Sequence, residues 1–501
     1  MSRSIPYFSL TPPNYHSSGG DSPGSSVFDL PIHPRGPDND HARHLPTRTP
    51  SEHNANQIPL DPMSQESPSF IVVSGGTGCN SICAAFGNAC YVLPVSDDGG
   101  SSSEIIRVIG GPSIGDIRSR LVRLIPSAPP GSPLDSIRNL LAYRLPAHCS
   151  ERDAREEWRE IVEGRSVLWS GIPNDRKELI RGFLVHFENE VLKRAHKNFS
   201  FVNGSIGNYF LSAAQEFFRS LPSAIFLFSS ITNSQANIIP VIVTNHTVTI
   251  AAELENGARL VGQCEISHPI PGLNTAGVGF SITVEESVSS VEDENDDEIG
   301  GSFGRPRNVL FEATKKDEYV PLDSRICRLF YINAYGNEIH PGPNPDYLHH
   351  LATNDVLVYS CGSLWTSIVP CLALRGVACS IARSRSLRAK VLLLNAQNDR
   401  ETDGYTAVDY ISTIVRTLNT AYSSKPYGGL GQAATTYPVS AFVTHLVYLK
   451  DTLVEVDVDE ITTLGVSCVE VEGHRDEKTN LPKFNAHAVR SAILGILANV
   501  E

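Results

Sequence analysis

The chain holds 501 residues, 41% hydrophobic and 19% charged, which suits a folded globular protein and excludes a fibrous or wholly disordered one. Its 55 acidic residues outweigh 41 basic ones for a formal net charge of -14, a field that repels polyanions and argues against nucleic acid as the main partner. No apolar run reaches the roughly 18 to 20 residues of a membrane-spanning helix; the nearest, residues 355–382, is broken by Gly362, Pro370 and Arg375, so no membrane span is expected.

Residues 1–68 are crowded with proline, serine, histidine and glycine, lack a sustained apolar period, and are expected to form a disordered tail. Nothing in them resembles a signal peptide, and they are too proline-rich and mixed in charge for a transit peptide to be the first reading. The expected address is cytoplasmic, with organellar targeting left open. From residue 69 to 501 the pattern alternates between strand and helix, the mark of one α/β domain, Rossmann-like, with a mainly parallel sheet, helical crossovers and inserted helices. "FIVVSG" and "YVLPVSD" read as buried strands, with a helix between them starting near Cys79 and ending at Gly87. Residues 147–200 carry apolar residues at helical spacing and read as a helical insertion. Residues 285–308 mix acidic residues, serine and glycine without periodicity, as a disordered surface loop does. "DVLVYSCG", "KVLLLNAQ" and "FVTHLVYL" are further strands that stop at polar or glycine positions, as parallel strands do where they meet a site.

Ten scattered cysteines in so long a chain read as reduced thiols rather than disulfide staples. The spacing of Cys79, Cys83 and Cys90 matches neither paired zinc ligands nor a common cluster run, so they are expected to be small core residues.

The chemistry concentrates at strand ends. After the first strand come Gly75, Gly76, Thr77 and Gly78, and a strand, glycines and a helix together let backbone N–H groups meet an anion. No lysine follows, so this is not a triphosphate loop, and Ser81 stands where a dinucleotide fingerprint has its third glycine. Asp97 nevertheless falls near the ribose-binding offset, which keeps a nicotinamide-dependent oxidoreductase as a lesser reading. Asp97 and Asp98 precede Gly99, Gly100, Ser101 and Ser102; in a continuing strand their carboxylates would face opposite sides unless the chain turns. "PSIGDIRSRLVRL" then sets Asp116 near a helix start with Arg118, Arg120 and Arg123 behind it. Two accounts fit: a dipole-stabilised carboxylate with a solvated arginine face, or an acidic pair around a divalent cation with Arg118 or Arg120 on a phosphate. Ser205 and Asn208 at the start of "YFLSAAQEFF", and Ser363, Thr366 and Ser367 after "YSCG", are capping residues or ligand contacts.

Taken in order, "SGGTG", "SDDGGSS", "PSIGDIRSRLVRL", "GSIGNYFLSAA", "GSLWTSIVP" and "ETDGYT" resemble the CofD and YvcK proteins, the 2-phospho-L-lactate transferase-like family. The resemblance implies one cleft at the strand ends that takes a nucleotide-diphosphate-linked small molecule, with magnesium as the cofactor and a homodimer as an assembly left open. It implies either transfer of a phosphoryl-linked group to an alcohol, as in CofD, or non-catalytic nucleotide-sugar binding by a regulator, as in YvcK. Carried over, Gly75, Gly76, Thr77, Gly78, Ser101, Ser102, Asp116, Arg118, Ser205, Asn208, Ser363 and Thr366 would face the ligand. Asp97 and Asp98 would be the catalytic pair, and with Asp116 the metal ligands. The chain departs from the family pattern at Ser103, at Asn203-Gly204 where a Gly-His pair is usual, and at Ser360-Cys361 where Gly-Pro is usual.

Overall fold

A computed structural model describes residues 67–268, 320–420, 436–477 and 479–500. The expected tail up to residue 66 and the acidic stretch 285–308 lie outside the described residues.

In chain order the first half runs β1 (Phe70–Val73), β2 (Cys90–Leu93), α1 (Gly100–Val108), α2 (Gly115–Arg123), α3 (Pro133–Ala142), α4 (Glu151–Val162), α5 (Asn174–Lys193), α6 (Ile206–Phe218), α7 (Leu221–Ile231) and β3 (Asn237–Pro240). There follow β4 (Thr249–Leu254), β5 (Arg259–Val261), the short α8 (Gln263–Ser267), β6 (Ile326–Ile332), β7 (Glu338–Ile339), α9 (Pro345–Thr353) and β8 (Val356–Tyr359). After a π-helical turn, Leu364–Ile368, come α10 (Val369–Leu372), α11 (Val377–Ala382), β9 (Ala389–Leu393), α12 (Ala407–Leu418), β10 (His445–Leu449), α13 (Val458–Thr463) and β11 (Ser467–Val471). A two-residue ribbon, β12 (His474–Arg475) with β13 (Pro482–Lys483), precedes α14 (Ala486–Val500).

Seven strands form one parallel sheet in the order β11-β10-β9-β8-β1-β2-β3. Its central strands are buried along their whole length because helices cover both faces: every residue of β1, β2, β8 and β9 is buried, and all are apolar but Lys390 on β9. All five strands read from the sequence lie in this sheet. The order reverses between β1 and β8, so the loops leaving those two strands flank the crevice where open α/β sheets bind ligands.

Two features differ from the sequence expectation. The segment between β1 and β2 is a string of turns with a single 3-10 turn at Cys83–Ala85, not a full helix. Its side chains are occupied elsewhere: buried Arg120 of α2 reaches into the segment and bonds both the Gly75 carbonyl and the Cys83 sulfur, holding the chain in an open path. The second is an antiparallel sheet, β5-β4-β6-β7, tied to α10 by a hydrogen bond from the Tyr331 hydroxyl to the Pro370 carbonyl.

The helices α4 to α6 enclose an aromatic cluster. Trp158 stacks on Phe201 at 5.3 Å and meets Tyr209 and Phe187 edge-on at 5.1 and 5.9 Å, while its indole N–H donates to Glu188. Offset and edge-on rings add to the burial of a side chain that is 1% exposed. Trp158→Ala is expected to cost about 3 to 5 kcal/mol, read as a lowered midpoint of denaturant unfolding.

Candidate functional site

The glycines after β1 serve close approach. A Cβ on Gly75 would overlap the Ser367 hydroxyl, one on Gly76 would lie 2.6 Å from the Asp116 Cα, and one on Gly78 would lie 2.5 Å from the Cys361 carbonyl oxygen. Helix α2 grips the loop from one side: the Asp116 carboxylate accepts the Gly76 N–H at 2.9 Å, and the Ser119 hydroxyl donates to the Gly76 carbonyl at 2.9 Å. On the β8 side, Asn395 at the end of β9 both accepts the Gly362 N–H and donates to the Gly362 carbonyl, each at 2.8 Å. Gly75 and Gly76 are thus buried among protein partners, and Thr77 and Gly78 are the exposed members of the loop. With no long helix after β1, this loop lacks the helix N-terminus on which a dinucleotide fingerprint seats its pyrophosphate.

Asp97 and Asp98 leave the end of β2 in opposite directions. The Asp97 Oδ1 accepts the Gly99 N–H at 3.0 Å, and its other oxygen lies against Gly115 at the start of α2, beside the Ser102 hydroxyl of α1. Asp98 turns to the antiparallel side, where its Oδ1 accepts the Cys264 N–H at 2.8 Å and its other oxygen lies against Gly262, whose φ is +92°. Asp97 and Asp116 therefore share one pocket. Burial first, and then the nearby Asp116 charge, push Asp97 up to about 8 against the pull of the Gly99 N–H. Burial likewise lifts Asp116 to about 6, against the pull of the Gly76 N–H. The Asp98 carboxyl is also raised by burial, with the Cys264 N–H opposing. Two raised carboxyl groups, one of them lifted in part by the charge of the other, offer oxygen donors of the kind a divalent cation takes; Asp98, bonded to the Cys264 N–H, adds a weaker raising charge on Asp97.

Basic groups stand next to that pair. Arg118 donates from Nε to the Asn208 Oδ1 at 3.1 Å, and its guanidinium is lowered to about 10 by burial and by the nearby Arg144, with Asp97 opposing. Arg144 donates to the Asn203 carbonyl at 2.7 Å and lies close to Gly100. Asn208, in the first turn of α6, donates to the buried Ser101 hydroxyl at 2.8 Å, while Ser205 caps α6 by accepting the Asn208 N–H. Asp97, Asp116, Arg118, Arg144, Ser101, Ser102, Ser205 and Asn208 are thus brought together where β2, α1, α2 and α6 meet. Arg120 is fully buried on the far side of α2, whereas Arg123 is exposed and holds the Asn80 carbonyl, so the three arginines do not form one solvated face.

The "GSLWTSIVP" residues play a different part. Thr366 is 1% exposed and gives its hydroxyl to Glu401 at 2.6 Å, and Glu401 also accepts the Trp365 and Thr366 N–H groups and the Ser267 hydroxyl. Glu401, lifted to about 7 by burial and then by Asp399, is a carboxyl cap binding the π-helical turn to α8. Ser363 is half-buried at the start of that turn with no side-chain cap bond. Sequence reasoning missed Arg144, Asn395 and Glu401. Asn395 had a signal, a polar residue ending an apolar strand; Arg144 had none, because its role arises from a bridge to Ser205, distant in sequence. Away from the cleft, the described residues gather His186, Glu190 and Glu216, but Lys193 and Arg194 neutralise Glu190 and Arg219 pairs with Glu216.

Residues 70–473 match the family described as 2-phospho-L-lactate transferase CofD, and the chain belongs to that family. A protein of Saccharomyces cerevisiae named "Uncharacterized protein YNL011C" is 35% identical over 429 residues, 80% of this chain and 94% of its own. A protein of Aquifex aeolicus named "Putative gluconeogenesis factor" is 20% identical across 86% of this chain and 96% of its own. A crystal structure of a UPF0052 family member from Bacillus halodurans shares the fold with a TM-score of 0.53 at 18% identity, covering 85% of this chain and all of that one. No helix among the described residues is long and apolar enough to cross a membrane.

The pH dependence of the Asp97 pocket follows from its charge. The folded state keeps the Asp97 proton up to about pH 8, whereas an unfolded chain releases it near about pH 4. Stability is therefore lost as pH rises between those limits. With divalent cations chelated, Asp97→Asn is expected to unfold at a higher temperature than the parent above about pH 7, the gap closing toward acid pH; calorimetric scans across pH measure it.

Proposed function

We propose that the chain binds a nucleotide-diphosphate-linked small molecule in the crevice beyond the carboxyl ends of β1, β2 and β8 and transfers its phosphoryl-linked group to an alcohol. The observation that carries this reading is the juxtaposition of the Asp97 and Asp116 carboxyl groups with the paired guanidinium groups of Arg118 and Arg144, neither of which has a carboxylate salt-bridge partner among the described residues. Paired arginines suit phosphate oxygens. Membership of a family described as a phospholactate transferase supports the same chemistry.

Asp97 and Asp116 would hold magnesium, which, when bound, neutralises charge on bridging phosphate oxygens. Arg118, oriented by Asn208, and Arg144, held by the Asn203 carbonyl, would grip the diphosphate and keep the reacting phosphorus in line with the acceptor hydroxyl. A loose phosphoryl-transfer transition state asks for positioning and charge stabilisation more than for a strong base. Asp98, facing α8, would set the wall of the crevice rather than touch the reacting atoms.

Isothermal titration of the purified protein with GDP and with UDP, each with magnesium, tests the reading. Saturable binding of one of them is expected, weakened by about tenfold or more, or about 1.4 kcal/mol, in both Arg118→Ala and Arg144→Ala. Absence of binding by either nucleotide would sink the proposal. Release of nucleoside monophosphate when an alcohol acceptor is added to the bound adduct supports transfer, whereas tight binding of a nucleotide sugar without release favours a regulator.

A further inference from the structure

Beneath the glycine loop lies a dithiol that the proposed transfer chemistry does not use. Cys79 and Cys83 are 0% and 5% exposed, each sulfur shifts the ionisation of the other, and the Cys83 thiol lies within donating distance, 3.3 Å, of the Cys79 carbonyl. Arg120 sits on Cys83, with Nη1 2.6 Å from the sulfur, and the same guanidinium donates through Nη2 to the Gly75 carbonyl at 2.9 Å and to the Ser74 hydroxyl at 3.1 Å. This arginine is 0% exposed, lies 4.8 Å from the centre of the Tyr91 ring, and leaves its Nε without a hydrogen-bond partner. It forms no salt bridge with a carboxylate among the described residues. A buried cation needs a counter-charge, and among the described residues the ionisable group within hydrogen-bond distance of it is the Cys83 sulfur, with the Asp116 charge one turn back on α2 acting from farther away.

The geometry points to Cys79 and Cys83 as an oxidisable dithiol in which Arg120 holds Cys83 as the nucleophilic thiolate, so that disulfide formation by a peroxide loosens the Gly75–Gly78 loop. The Cys79 thiol and the neighbouring guanidinium draw Cys83 down to about 6, while its partner Cys79 is raised, so one sulfur is anionic and the other still carries its proton at neutral pH. The thiolate attacks one oxygen of hydrogen peroxide, the O–O bond breaks, and Cys83 becomes a sulfenic acid as hydroxide departs and takes up a proton from solvent. The Cys79 sulfur then attacks the Cys83 sulfur; the S–O bond breaks, and the leaving oxygen takes the Cys79 proton. Two electrons pass from the sulfurs to the peroxide, and the products are one disulfide and two molecules of water. The loop consequence is electrostatic: the disulfide carries no charge, so Arg120 loses its counter-ion while still bound to the Gly75 carbonyl, and water must reach the guanidinium for it to stay charged.

The full chain, reduced and then exposed to dilute hydrogen peroxide, is alkylated and mapped by mass spectrometry, and its backbone hydrogen exchange is followed in parallel. A Cys79–Cys83 disulfide is expected to form before exposed Cys379 is oxidised, to revert with dithiothreitol, and to raise exchange in peptides spanning residues 71–82. In Cys79→Ser, which keeps the thiolate but removes the resolving sulfur, dimedone should label Cys83. Oxidation of Cys379 with Cys79 and Cys83 left reduced, or no dimedone adduct in folded Cys79→Ser, overturns the assignment. A disulfide that forms without change in exchange overturns its action on the loop.

Discussion

Two peptide groups at the end of β1, those of Gly75 and Gly76, are held by helix α2: Asp116 takes the Gly76 N–H, Ser119 binds the Gly76 carbonyl and Arg120 binds the Gly75 carbonyl. Buried backbone groups must be paired, and these lie beyond the last ladder bond of a central strand, where the sheet no longer supplies partners. Side chains of α2 do so only because glycine lets the helix come within about a Cβ's width. The rest of the crevice inherits this contact, since the same helix turn that presents Asp116 to Gly76 carries Gly115 against Asp97 and Arg118 toward Asn208. A single α-helix thereby fixes the glycine loop on one face and the charged pocket on the other.

That arrangement separates two uses of buried charge. On the cleft side, Asp97 is raised by burial and by the nearby Asp116 charge, and Arg118 and Arg144 stand close by, so charges of both signs meet there. On the core side, the two terminal nitrogens of Arg120 are held by carbonyl, hydroxyl and sulfur, with the Tyr91 ring against the guanidinium and its Nε without a hydrogen-bond partner. The helical period of 3.6 residues puts Arg118 and Arg120 on different faces of α2, although two residues apart in the chain. Glu401 plays the complementary part across the crevice, where one carboxylate gathers the start of the π-helical turn, Thr366 and Ser267, so that the "ETDGYT" and "GSLWTSIVP" motifs act as one support.

The family relation extends over most of the chain, and its motifs divide by role once they are seen in place. "SGGTG" and "GSLWTSIVP" are chiefly devices for packing loops at the point where the strand order reverses, whereas "SDDGG", "GDIR" and "GSIGN" bring the polar groups that face the crevice. The departure at Asn203-Gly204 has a structural counterpart: Gly204 packs against the Tyr209 hydroxyl, leaving no room there for a larger side chain. Asn203, with a φ of +57°, instead offers its carbonyl to Arg144.

The parallel sheet was legible in the sequence because burial on both faces forces continuous apolar runs such as "FIVV" and "VLVY", and those runs end at polar or glycine positions where the strands leave the core. The helix start at Ser205 was legible for a local reason, since a capping side chain bonds a backbone group only three residues away. Tertiary structure alone decided that the stretch after Gly78 would not form a helix, that Asp97 and Asp98 would part company, and that Thr366 would serve Glu401. Each of these depends on a partner far along the chain: Arg120 for the loop, Cys264 for Asp98, Glu401 for Thr366. Local pattern records which residues must be buried or capped. Which buried charge meets which distant partner depends on how the loops close over the sheet, and that is written in no single stretch of the chain.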